Sequence, residues 1–184
     1  ADVLLNDALT AAQRVGSLGY EAEITLKRAD MASRRGQTDQ AIQLLGTAAG
    51  LAHQAGGNQI LADIALSLAS INRKLGRLDD AETALSEGIA AAREVGGHLM
   101  LSRMLAAYAD LKSARHEYAA AGQLLEQAND ILEGVLTKTS SPWVRSRVIG
   151  SMDQVFLARL RLEAAVGRSP ARAFAIVEEA RGRS

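Results

Sequence analysis

The chain has 184 residues, 48% hydrophobic and 23% charged, which is enough apolar material for a sizeable core and too little bias for disorder. Its 21 basic and 21 acidic residues cancel, so no global field draws it to nucleic acid or an anionic membrane. No apolar run is long enough to span a membrane, the start ADVLLNDALT has no signal-peptide layout, and cysteine is absent, which excludes disulfides and thiolate sites and makes the cytoplasm the expected compartment.

Only two prolines interrupt a sequence rich in Ala, Leu, Glu, Gln and Arg, so an all-α fold is expected. From the N-terminus, Leu4, Leu5, Ala8, Ala12 and Gly16 align at a shift of 40 with Leu44, Leu45, Ala48, Ala52 and Gly56. Residues 1–17 are therefore expected to be the second helix of a truncated repeat. An uncovered second helix makes this terminus read as a boundary inside a longer protein.

Full repeats are expected at 20–57, 58–97 and 98–138. Gly36 maps on Gly76, Ala41 on Ala81 and Ala121, Leu45 on Leu85 and Leu125, and Ala29 on Ala69 and Ala109. Apolar residues Ile60, Ile64, Leu68, Ile71 and Leu75 recur at helical spacing, and Leu78, Ala81, Leu85, Ala92 and Val95 continue on a second helix. Each period thus predicts a helical hairpin, with Gly76 at its turn and Asp79 and Asp80 at the positive end of the next helix. The recurring alanines let paired helices approach to about 8–10 Å. In the third copy His116 stands where the turn glycine belongs.

Beyond the repeats, Thr137 to Pro142 read as a polar linker where the register fails. A long helix from about Trp143 to Val166 and a short one from Pro170 make 142–184 an atypical long-helix repeat. Trp143 is a candidate partner anchor, although packing under the loop is the commoner fate of such a residue.

The segment LASINRKLGRLDDAETALSEGI, Leu68 to Ile89, resembles the tetratricopeptide repeat family. That resemblance implies a right-handed superhelical solenoid of antiparallel hairpins, one domain over 1–184, whose first helices line a protein-binding groove. The period of 40 exceeds the family norm of about 34, so longer helices are expected. Carried over by position, the groove residues are Lys27, Asp30 and Arg34, then Ser70, Arg73 and Lys74, then Arg103 and Asp110. Their cationic bias suits a protein or peptide partner that is acidic. The subclass that clamps chaperone tails is disfavoured, because Leu26 and Asp30 occupy its two key positions.

Ala173 to Ser184, AFAIVEEARGRS, resembles the segment that precedes a caspase-like CHAT domain in bacterial proteins, which would make the partner an adjacent effector domain. A competing resemblance is to the roughly 40-residue helical repeats of signal-transducing ATPases and transcription regulators. Residues 139–184 carry eight arginines against four acids, so nucleic acid is a further candidate, but on the long helix only Arg147 and Arg161 share a face while Arg145 and Arg159 point elsewhere, and no aromatic residues interleave them. Exposed terminal helices would also permit self-association.

No catalytic, cofactor-binding or metal-binding set emerges. His53, His98 and His116 do not share a helical face, and there is no HExxH or phosphate-binding glycine motif. Ser67, Ser70 and Ser113 fall within predicted helices, and the pairs Asp79 with Asp80 and Glu178 with Glu179 suit helix starts or solvated faces. The sequence therefore points to an interaction scaffold and away from an enzyme.

Overall fold

The computed structural model describes residues 2–167 and 170–181. Among them are nine α-helices and no strand: α1 Asp2–Arg14, α2 Leu18–Arg34, α3 Thr38–Ala55, α4 Asn58–Lys74, α5 Leu78–Glu94, α6 His98–Ala114, α7 Tyr118–Lys138, α8 Pro142–Val166 and α9 Pro170–Arg181. No described helix is long and apolar enough to cross a membrane. The chain divides into two compact units, Ala1–Val95 and Gly96–Ser184.

The backbone repeats at half the side-chain period. Left-handed residues recur every 20 positions, at Gly16, Gly36, Gly56, Gly76 and Gly96, and then at His116, whose φ of 62° matches the glycines' 63–76°. Five of these six turns share one hydrogen-bond pattern. One residue past the left-handed position, the amides of Ser17, Gln37, Gly57, Arg77 and Glu117 donate to the carbonyls of Ala12, Ala32, Ala52, Asn72 and Lys112 at 2.8–3.1 Å. Those bonds satisfy carbonyls that a helix end leaves open. The same residues then cap the next helix, as Gln37 does when its carbonyl accepts from the Ala41 amide at 3.0 Å. His116 thus closes a turn of the same kind, and its Nδ1 lies 2.7 Å from the Tyr118 hydroxyl.

In unit 1, α2 pairs with α3 and α4 with α5, while α1 packs on α2 and α3 on α4. The second helices bury one stripe each: Ala41, Leu45, Ala48 and Ala52 on α3, and Ala81, Leu85, Gly88 and Ala92 on α5. First helices answer with Ala22, Leu26 and Ala29 on α2 and Ala62, Ile64 and Ala69 on α4. Alanine at the crossings lets the leucines fill the space between, and each fully buried leucine contributes about 2 kcal/mol of apolar transfer. Buried Thr25 is satisfied internally, donating to the Glu21 carbonyl at 2.7 Å.

In unit 2, α6 pairs with α7 around Met104, Leu111, Leu125 and Leu132, and α8 packs on both. Helix α7 continues through Lys138, so the expected linker at Thr137–Pro142 shrinks to residues 139–141. Pro142 begins α8 because its missing amide and fixed φ suit a first helical position, and the Ser141 hydroxyl accepts from the Val144 amide at 3.5 Å. Trp143 does not pack under the loop: it is 66% exposed, since three linker residues are too few to fold over it.

Candidate functional site

The outward faces of the first helices form the candidate site, and each unit presents its own. On α2 the buried stripe of Ala22, Leu26, Ala29 and Ala32 turns Lys27, Asp30 and Arg34 away from α3, at the i, i+3, i+7 spacing that aligns side chains on one face. On α4 the buried Ala62, Ala65 and Ala69 leave Ser70, Arg73 and Lys74 outward. Helices α2 and α4 pack together in unit 1, and the Ser67 hydroxyl donates to the Asp30 carboxylate at 3.2 Å, tying one face to the other.

The residues brought together in this way differ in what they have left to offer. Asp30 is half-buried and occupied by Ser67, so it serves as a strut between helices. Lys27, Arg34, Ser70, Arg73 and Lys74 are exposed. Among the described residues none of the four cations has a hydrogen bond or ion pair. Two residues of this face escaped the sequence reading. Ser67 occupies on α4 the register of Lys27, and the 40-residue shift marks it. Tyr20, 65% exposed, precedes Lys27 by seven residues and so shares its face.

Arg103 and Asp110 lie on α6 in unit 2. Asp110 accepts an ion pair from Arg161 of α8 at 3.0 Å, and the carboxylate side is only 19% exposed. The position equivalent to Asp30 therefore again holds the following helix, here through a charge-assisted bond. Arg103 is half-buried.

Elsewhere the polar groups serve local structure. Asp79 and Asp80 lie in the first turn of α5. The His116 and Tyr118 rings meet edge-on with centroids 5.8 Å apart. Asp2 lies 2.8 Å from Arg35, whose hydrogen bond and charge hold its carboxyl below the ordinary value. Among the described residues no three His, Asp or Glu side chains form a group able to hold a metal. A cleft of about 620 Å³ among α7, α8 and α9 is lined by Glu126, Asp130, Arg159, Glu163 and Ile176. Of the AFAIVEEARGRS segment, the side chains of Ala173, Glu179, Ala180 and Arg181, and residues 182–184, lie outside the described residues.

No protein-family profile matches the chain, and no curated protein matches it. The chain is similar to the crystal structure of BtubC (BKLC) from P. vanneervenii, with a TM-score of 0.75 and 21% identity, over 100% of this chain and 71% of that one. At that identity the likeness is one of fold, and the fold is an all-helical, repeat-like array.

Proposed function

We propose that the chain is a protein-interaction scaffold, a solenoid of tetratricopeptide type whose first-helix faces hold an acidic segment of a partner. The observation that carries this is the face of unit 1, where Lys27, Arg34, Arg73 and Lys74 are exposed and uncommitted on two helices joined through Ser67 and Asp30. The helix dipole alone favours cations in the last turns of α2 and α4, so the placement of Arg34, Arg73 and Lys74 there has a structural cause, which mid-helix Lys27 lacks. Their freedom from internal acids leaves them available to a ligand carboxylate, and the exposed Tyr20 supplies apolar area beside them.

The partner is a separate protein or an effector domain of the same polypeptide, a CHAT-type module or the catalytic part of a regulator. Affinity capture with the wild-type chain and with Arg73→Glu/Lys74→Glu tests the assignment. A loss of about tenfold in the recovered partner is expected from removing and reversing two rim charges. Recovery of every partner at wild-type level by the double variant would reject this face as the binding site.

A further inference from the structure

We infer that the outward stripe of α8 is a second docking face, built for an acidic amphipathic helix of a partner protein; the inference rests on reading the chain as an interaction scaffold. Helix α8 has 25 residues against 17 in each of α2, α4 and α6. One side of it, Val148, Ser151, Met152, Val155, Phe156 and Ala158, is buried. The other side carries Trp143, Arg147, Gly150, Gln154, Leu157 and Arg161, all exposed, at alternating steps of four and three that keep them in one line. Trp143 is 66% and Leu157 52% exposed. Two large apolar side chains on one solvent-facing stripe cost hydration that a partner would relieve.

The chemistry of the stripe selects its occupant. The Arg147 guanidinium sits 4.9 Å from the centre of the Trp143 ring, and among the described residues no carboxylate pairs with it. Arg161 pairs with Asp110 yet keeps 64% of its side chain exposed. No acid lies in the line, so the complementary surface carries carboxylates. Trp143 and Leu157 are 14 residues apart, about 21 Å along the helix, which four turns of a partner helix would span. Midway, Gly150 has open space where a side chain would stand, a notch that lets a second helix approach closely. An indole and an arginine could also stack a nucleobase, but one aromatic ring followed by an aliphatic side chain makes no ladder for successive bases.

Trp143 is the only tryptophan in the chain, so its fluorescence reports directly on this stripe. The probe is a synthetic amphipathic helical peptide of about 15 residues made of Leu and Glu, compared with the same pattern in Leu and Lys. A saturable blue shift is expected with the Leu/Glu peptide and binding at least tenfold weaker with Leu/Lys. By anisotropy of labelled peptide, Arg147→Glu and Leu157→Ser should each weaken Leu/Glu binding about tenfold, with unchanged helicity confirming their fold. Equal binding of both peptides, no saturable binding, wild-type affinity in both variants, or displacement by an oligouridine would each overturn the α8 face. If Arg73→Glu/Lys74→Glu abolishes peptide binding while Arg147→Glu does not, the scaffold reading stands and this inference fails.

Discussion

The turns from α1 to α7 and the junction between α7 and α8 join helices by different rules. In the first set a left-handed residue closes each helix, and the residue after it opens the next, so a fixed 20-residue step leaves α2, α4, α5 and α6 with 17 residues each. At the junction the chain leaves α7 through Thr139 in extended conformation and restarts on Ser141 and Pro142. Released from the step, α7 reaches 21 residues and α8 25. The regular turn fixes helix length; past the irregular one, the longer α8 carries Trp143 and Leu157 in solvent.

The largest effects should come from the core register that recurs in each unit. Leu45, Leu85 and Leu125 occupy one register and are 0%, 1% and 2% exposed, so alanine at any of them should cost about 3 kcal/mol, read by urea denaturation. A much smaller loss at Leu125 would mean that the irregular junction loosens the packing of unit 2. Ala81→Leu should cost about 1–3 kcal/mol by overpacking the crossing of α4 and α5.

The turns themselves come next. Gly76→Ala should cost about 1 kcal/mol, because alanine is strained at a φ of 74° although its Cβ would meet nothing within 4 Å. His116→Gly should do the reverse and stabilise by some tenths to about 1 kcal/mol, offset by the lost bond to Tyr118. A destabilised His116→Gly would show that this bond outweighs the strain, and Tyr118→Phe would then reproduce the loss.

The smallest effect concerns Asp2 and Arg35, which link α1 to the end of α2 at an exposed site. Since folding lowers the Asp2 pKa from 3.8, its contribution is present above that value and fades as pH falls through the lowered one. Carbon-detected NMR titration should show the depression, and Arg35→Gln or added salt should erase it.

Much of the fold was legible because its rules are local. Helical spacing and the recurrence of Ala29, Ala69 and Ala109 gave the hairpins. The 20-residue step was also present, in Gly16, Gly36, Gly56, Gly76 and Gly96, but was hidden because first and second helices bury different residue sets and so match only at 40. His116 could not announce its conformation, since only glycine advertises a positive φ. The end of α7 was misread because Thr137 and Lys138 are polar whether helical or not. Of the candidate face, positions were legible and commitments were not: that Asp30 serves Ser67 and Asp110 serves Arg161 depends on how neighbouring helices pack.

The claim that first-helix faces hold the partner is tested most directly by a photo-crosslinking residue placed in living cells, at Ser70 on α4 or at Ser86 on α5, both exposed. A discrete crosslinked protein is expected from position 70 and none from position 86. Equal crosslinking from both, or crosslinking from position 86 alone, would contradict it.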